Sequence, residues 1–340
     1  MKLELYNIRC AEKAEYDKIK SFINIHWREN HILAVSKALF DFQHLRKDSS
    51  LYDFVIAEHK QTGEIHAVYG FINSAIYDNG SSNTPNAVWG AMWKVRKDVK
   101  NNEVNKIGLA VLFYILDLYP NSPFITLGLS KYSQFIFEGL NFGFGKMNHY
   151  YFANIECKSP IISKNLEYSE HINNKQVCIK QFAFDRDIES DYIPKKNNEY
   201  IINRYVRHPY YKYDIWGLYN RGELVNVWVT RLTDYNGARC LRLVDMIGQT
   251  RNLPDASGSL QSLLELYKAE YIDCYNYGID KSEFMNLGMK MVQAPTVIPN
   301  YFEPFEQVNI DVYYAFCFDK DVCIFKGDGD QDRPSIINKQ

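Results

Sequence analysis

The sequence predicts an α/β protein of the mixed (α+β) kind, made of two similar units in tandem. Three observations carry that reading. The chain has 340 residues, more than one hydrophobic core ordinarily serves and enough for two. One run of elements (hairpin, strand, helix, strand, short helix) occurs twice in the same order. Hairpins lead each run, so each unit should hold a mostly antiparallel mixed sheet flanked by helices.

The repeat is legible element by element. In the first half Phe54-Val55-Ile56-Ala57-Glu58 passes through Gly63-Glu64 into Ile65-His66-Ala67-Val68-Tyr69-Gly70. In the second, residues 213–219 pass through Gly222-Glu223 into Leu224-Val225-Asn226-Val227-Trp228-Val229. Turn-forming glycine between alternating apolar runs is a hairpin signal. Strand-like segments follow at 88–95 and 241–247, then apolar helices at 107–118 and 259–270. Short strands at 124–129 and 271–277 lead into short helices that end at Asn141-Phe142 and Gly288-Met289. Residues 156–200 are polar and irregular: Lys158-Ser159-Pro160, His171-Ile172-Asn173-Asn174-Lys175 and Pro194-Lys195-Lys196-Asn197-Asn198, with a strand-like piece at 177–184. The expected division is therefore 1–155, a structured connector at 156–200, and 201–340.

Composition removes several function classes. Lys+Arg number 39 and Asp+Glu 41, a net charge of −2, which does not suit a protein that neutralises a nucleic-acid backbone. Hydrophobic residues make up 46%, with 18 Gly and 11 Pro, so a packed chain is expected rather than a disordered one. The opening Met1-Lys2-Leu3-Glu4-Leu5-Tyr6 has no apolar leader core. The longest apolar run, 107–116, is ten residues, whereas a membrane span needs about 20. Seven cysteines without a C-x-x-C pair indicate neither a disulfide framework nor a zinc site, and a reducing cytoplasm is the expected setting. Aromatics reach 15%, with 26 Tyr against 20 Phe. So many phenol hydroxyls need water, a protein partner or a ligand.

Chemistry concentrates at Trp93-Lys94-Val95, followed by a polar loop and then Lys106-Ile107-Gly108-Leu109-Ala110-Val111-Leu112. A helix start offers unpaired N–H groups and the positive end of a dipole, which suit a pyrophosphate. Glycine there admits a phosphate close to the backbone. Alternatively, Gly108 allows the helix to lie close on the sheet.

In element order this stretch resembles the GNAT superfamily of CoA-dependent N-acyltransferases. The resemblance implies that Trp93, Lys94 and Val95 flank the acyl arm. It further implies that Lys106, Ile107, Gly108, Leu109 and Ala110 hold the phosphates of acyl-CoA, with no metal. Two departures stand out: the loop Asn101-Asn102-Glu103-Val104-Asn105 is long and acidic in the middle, and the family's Gly-Phe pair is Asn141-Phe142. Three strings are similar to a narrower group of two-domain acyltransferases found with bacterial surface-polysaccharide genes, the FdhC type. They are His26-Trp27-Arg28-Glu29-Asn30-His31-Ile32-Leu33, Asn300-Tyr301-Phe302-Glu303-Pro304-Phe305 and the segment 326–334. That likeness implies transfer of a 3-hydroxybutyryl or acetyl group to the amine of a dTDP-linked 3-amino-3,6-dideoxyhexose in O-antigen or capsule biosynthesis. The nucleotide sugar would be a small-molecule partner, and no oligomeric state is implied.

The reaction asks little of an acid or base. A sugar amine titrating near an α-amino group, about pKa 8, is roughly a tenth neutral at pH 7, and a thiol of pKa about 8.5 leaves readily. Positioning and a backbone N–H on the thioester oxygen would supply most of the rate. The family's tyrosine acid is replaced by Phe137 and Phe284, which leaves Ser130 and Tyr132 as nearby polar substitutes. His31 and His149 are candidates for a water-relayed base. His26 and His31 are five apart and do not share the face that a zinc pair needs. For the acceptor, Trp27, Tyr275, Tyr277 and Tyr301 offer rings, and Asn300 and Glu303 offer polar groups on a Pro-stiffened loop. Arg333 offers a fork for phosphate, and Asp328, Asp330 and Asp332 accept from sugar hydroxyls. The D-x-D-x-D spacing is not a calcium loop, because Arg333 stands where Gly is needed and Lys339 where the closing Glu is needed. A solvated charged tail is the plain alternative, and core packing is the plain alternative for the tyrosines. Rival functions are a Fem-like aminoacyltransferase, disfavoured by the lack of a basic stripe, and a non-catalytic binder on a decayed acyltransferase frame.

Overall fold

The computed structural model describes residues 3–47, 49–78, 86–173 and 177–335. Met1 and Lys2 of the opening, Asn174 and Lys175 of the connector, and Lys339 lie outside the described residues.

The first half opens with β1 (Tyr6–Glu12), α1 (Tyr16–His26), α2 (Ile32–Val35) and α3 (Lys37–His44). There follow β2 (Leu51–His59), β3 (Ile65–Asn73), β4 (Val88–Val95), α4 (Val104–Leu118), β5 (Phe124–Leu127), α5 (Lys131–Gly139), β6 (Gly143–Lys146) and β7 (Asn148–Ala153). The second half holds β8 (Val177–Gln181), α6 (Asn198–Ile201), β9 (Asp214–Asn220), β10 (Glu223–Tyr235), β11 (Ala238–Gly248), α7 (Ser257–Tyr267) and β12 (Tyr271–Tyr277). It closes with α8 (Lys281–Asn286), β13 (Lys290–Met291), β14 (Tyr301–Phe302), β15 (Phe305–Glu306), β16 (Tyr313–Cys317) and β17 (Ile324–Phe325).

Local chemistry sets many of these bounds. Ser36 caps α3 by accepting from the Leu39 N–H, and Ser130 caps α5 by accepting from the Ser133 N–H. Arg221 and Gly222 both have positive φ, 51° and 87°, the two-residue turn whose twist matches its flanking strands. α4 starts three residues earlier than its apolar period implies, because the Glu103 N–H is held by the Asn101 side chain at 2.9 Å and turns the loop into the helix.

The two large sheets share one plan. The first runs β1-β2-β3-β4-β5-β16-β6 and the second β8-β9-β10-β11-β12-β7-β13. Each is antiparallel except for one parallel pair, β4–β5 or β11–β12. Two strands change places. β7, from the first half, pairs with β12 from Tyr271↔Ala153 to Asn276↔Asn148. β16, from the second half, pairs with β5 from Tyr314↔Leu127 to Cys317↔Phe124. Strand pairing therefore crosses the division at 156–200. Within that segment β8 is the edge strand of the second sheet, paired to β9.

α4 packs Ile107, Ala110, Val111 and Ile115 on Tyr69 and Phe71 of the first sheet. α7 packs Leu260, Leu263 and Leu264 on the second. A third cluster joins the sheets through Trp89, Tyr200, Tyr205, Tyr275 and Tyr314. Many of the tyrosines serve as core: Tyr52, Tyr69, Tyr150, Tyr151, Tyr205, Tyr271 and Tyr275 are all fully buried. Among the described residues no helix is long and apolar enough to cross a membrane, and no three ligating side chains are grouped to hold a metal.

Candidate active site

β4 and β5 pair only from Val88↔Phe124 to Gly90↔Thr126. Beyond that point β4 runs on to Val95 and the strands part. A cleft of about 1060 Å³ fills the gap. Its walls are Ala91, Trp93, Lys94 and Val95 of β4, Thr126 and Leu127 of β5, Gly108 and Leu109 of α4, and Phe135, Ile136 and Phe137 of α5. At the apex the β3–β4 register passes from Gly70↔Met92 to Phe71↔Gly90. Ala91 is thus a bulge residue with no partner opposite, a device that re-aims the backbone.

Five of the eight residues assigned to the donor border this cleft: Trp93, Lys94, Val95, Gly108 and Leu109. Ile107 and Ala110 do not, because the helical period turns them into the core beside Val111. Lys106 is exposed and outside the lining. Trp93 stacks on Tyr69, with centroids 5.1 Å apart and planes 6° apart, and its indole N–H donates to the Gly108 carbonyl at 3.1 Å. A Cβ on Gly108 would lie 3.1 Å from Val95 Cγ2 and 3.8 Å from the indole nitrogen. The glycine therefore lets α4 lie on β4, the packing role.

Lys94, Arg96 and Lys97 rim the cleft. Arg96 is engaged by Asp98 at 2.7 Å and Glu64 at 3.3 Å. Lys94, its ammonium 5.9 Å from the Trp27 ring, has its pKa lowered by burial and by Lys97. The acidic residue of the loop is turned away from the cleft: Glu103 accepts from the Glu4 and Leu5 N–H groups at 2.9 and 3.0 Å, which lower its pKa. It ties the approach to β1 onto the start of α4.

Ser130 and Tyr132 both border the cleft, Ser130 as the cap of α5 and Tyr132 at the mouth, 77% exposed. The sequence reading missed Tyr69, a buried cleft-lining phenol. A Cβ on Gly90 would lie 2.7 Å from its hydroxyl oxygen, so the hydroxyl sits at the apex where β4 and β5 separate. Burial raises its pKa, which keeps it a donor. A lone glycine inside an apolar strand signals such a close approach, and Gly90 carries that signal.

Neither histidine borders the cleft. His31 caps α2 through Nδ1, which accepts from the Leu33 N–H at 3.3 Å, and its Nε2 lies 3.3 Å from Arg333 Nη2. Burial, then Arg333, push its pKa down to about 3, far too weak to hold a proton taken from an amine. His149 is buried on β7 in the second sheet, bonded to Asp273 at 2.9 Å and stacked on Tyr275 at 3.8 Å. Burial lowers its pKa even against the pull of Asp273.

The residues assigned to the acceptor divide likewise. Trp27 borders the cleft and is 41% exposed. Tyr301 is 49% exposed on the hairpin that Glu303 helps to turn. Tyr275 and Tyr277 are packing residues, Tyr275 donating to the Ile310 carbonyl at 3.0 Å and Tyr277 lying 4.1 Å from the Tyr314 ring. The tail is buried rather than solvated. Asp328 pairs with Lys196 at 2.7 Å and accepts from the Phe325 N–H at 2.9 Å. Asp332 pairs with Arg231 at 2.7 Å and accepts from the Tyr213 hydroxyl at 2.8 Å. Asp330 pairs with Arg333 at 2.8 Å. Asp328 and Asp332 are thus buried and paired with protein cations, and neither borders the cleft. Asn300 accepts from Lys326 and Arg242 through its side-chain oxygen. The fold therefore joins the separated strings, His31 with Arg333 and Asn300 with Lys326.

A parted pair of parallel strands, a bulge at the apex and a helix start on one flank describe a known frame. A GCN5-related N-acetyltransferase structure from Anabaena variabilis matches with a TM-score of 0.52 at 6% identity, covering 92% of this chain and 72% of that one. The fold is the GNAT fold. A GCN5-related N-acetyltransferase structure from Sphaerobacter thermophilus aligns over 99% of this chain and 98% of that one, with a TM-score of 0.43 at 11% identity. No family model and no curated protein matches the sequence.

Proposed function

We propose that the chain is an acyl-CoA-dependent N-acyltransferase acting on an amine of a nucleotide-linked amino sugar. The observation that carries this reading is the open notch between β4 and β5, with the Ala91 bulge and the Tyr69 hydroxyl at its apex. The lining fits the donor. Val95, Leu109, Phe137 and Leu140 give the arm an apolar channel, and Lys94 and Lys97 put positive charge at the mouth. When bound, acyl-CoA supplies an activated thioester. The chain's own work is to exclude water with these apolar walls, to aim the backbone of β4 at the reacting carbonyl, and to hold a phenol proton on Tyr69 beside it. An amine with a pKa of about 8 needs only about 1.4 kcal/mol to be neutral at pH 7, so no strong base is required. The candidate histidines lie outside the cleft lining.

The nucleotide-sugar acceptor is supported by convergence: the strings that carry the likeness meet at His31–Arg333 and Asn300–Lys326. In this reading 1–155 hold the donor, 156–200 connect, and 201–340 contribute the acceptor side, with β7 and β16 exchanged between the units. A cytoplasmic setting follows from the donor. Calorimetry with CoA, followed by thiol-release assays over a panel of amino-sugar nucleotides, tests the proposal. Absence of CoA binding, by calorimetry at two temperatures, would sink the enzyme reading. Stabilisation by UDP and not by dTDP would sink the dTDP-sugar assignment.

A further inference from the structure

The second sheet is made with the same notch as the first. β11 and β12 pair only from Leu241↔Ile272 to Leu243↔Cys274, after which β11 runs on to Gly248. This notch is filled by the chain itself. β17 pairs with the end of β12 through Asn276↔Phe325 and Tyr277↔Ile324. The Gly327 N–H then donates to the Val244 carbonyl of β11 at 2.7 Å. A Cβ on Gly327 would lie 2.7 Å from that carbonyl and 2.6 Å from the Tyr205 hydroxyl, so the segment is inlaid too deep for any side chain there. Polar groups fix it. Lys196 bridges Asp245 at 2.8 Å and Asp328 at 2.7 Å, and Arg204 donates to the Gly327 and Gly329 carbonyls at 2.9 and 3.1 Å. All of these side chains are buried.

The segment continues to the first sheet. Gly329 lies against Trp89 of β4, where a Cβ would be 3.5 Å from the Trp89 Cβ. Gln331 donates to the Leu127 carbonyl at 3.4 Å and lies over Gly128, while Arg333 reaches His31. Leu127 and Gly128 line the donor cleft.

We propose that residues 322–333 are a built-in ligand of the second notch. They occupy there the place that the donor takes in the first, so the chain has one donor site rather than two. Their seating also fixes Gln331 against Leu127 and Gly128 at the back of the first cleft as a positioning residue, and sets Arg333 on His31. The stoichiometric part rests on the reading of the first cleft as the donor site, and the seating part does not.

Two measurements on the full chain test it. Calorimetric titration with CoA should give one site per chain, and two sites would overturn the inference. Absence of binding would instead defeat the donor reading, and hydrogen exchange then decides the seating alone. In the unmodified chain the amides of Phe325, Gly327 and Asp328 should exchange as slowly as those of β11; exchange as fast as an exposed loop overturns the seating. Gly327→Val should speed exchange at 324–331 and at least tenfold at Gly128 and Leu129, with β2 and β3 unchanged. Gln331→Ala leaves the pairs that hold the seat intact and should speed exchange only at Gly128 and Leu129, which keeps the test open if the valine variant does not fold. Unchanged exchange at Gly128 and Leu129 in the alanine variant refutes the positioning role.

Discussion

Replacing Lys326 with methionine should stabilise the protein near neutral pH and flatten its pH dependence above it. Lys326 is buried, and among the described residues its ammonium has no carboxylate within bonding distance; it donates to the Asn300 side-chain oxygen and lies 5.7 Å from the Tyr275 ring centroid. Burial, and then the neighbouring Arg242, lower its pKa from the ordinary 10.5 to about 7, while Asp332 and Asp273 pull the other way. A folded pKa below the unfolded one means that the native state binds fewer protons in the window between them, so stability rises with pH there. Below the folded pKa the native state carries the whole penalty of a buried ammonium, on the order of 5 kcal/mol. Between about pH 7 and about pH 9 roughly 2 kcal/mol of that is recovered. Methionine has similar length, no charge and a flexible stem, and Asn300 keeps Arg242 as a donor. Urea unfolding of both proteins at pH 6, 7, 8 and 9 should show the variant more stable at pH 6 and 7, with its advantage shrinking by about 2 kcal/mol at pH 9. Parallel curves, or a variant less stable throughout, would refute the argument that an unneutralised ammonium is buried at the foot of the tail.

Trp93→Ala removes the Tyr69 stack and the bond to the Gly108 carbonyl. It should weaken CoA about tenfold, equivalent to ~1.4 kcal/mol, as read by calorimetry; unaltered affinity would take Trp93 out of the donor wall. His31→Gln should leave the pH profile of kcat/KM in place, because a ring with a pKa near 3 is already neutral across the working range; a displaced acid limb would restore it as a base. Glu270→Ala strips the acceptor shared by the Ile161, Ile162 and Ser163 N–H groups, at 2.5, 2.9 and 3.1 Å, and by the Ser163 hydroxyl at 2.8 Å. The loss should be about 2–3 kcal/mol, with faster tryptic cleavage at Lys158 and Lys164; unchanged cleavage would mean that the connector is held by something else.

What the sequence showed and what it hid differ by the range of the interaction involved. Hairpins at Gly63 and Gly222 were legible because a turn and its flanking alternation are local, and the twofold order of elements follows from such local signals. The Gly108 helix start was legible as a feature and ambiguous as a function, since a missing Cβ serves a phosphate and a packed strand equally. Val95 Cγ2, 3.1 Å from where that Cβ would be, shows the packed strand, and the cleft that Gly108 borders leaves the other role open to it. The exchange of β7 and β16 had no signal. His149-Tyr150-Tyr151-Phe152 reads as a buried strand whichever sheet receives it, because apolar runs state that they are buried and not against what. The tail misled for the same reason. Asp328, Asp330 and Asp332 read as a solvated or ligand-facing acidic loop until Lys196 and Arg231, from two distant stretches of chain, arrive to pair with Asp328 and Asp332, while Asp330 pairs with Arg333 within the tail itself. A buried carboxylate is affordable only with such partners, so the tail's charge pattern is intelligible only with its cations in place. Lys196 precedes the second sheet and Arg231 lies on its β10, so the seating of the tail depends on that sheet being in place. A second notch that took no external ligand would expose the edges of β11 and β12, and the chain's own strand with an inlaid glycine satisfies those edges.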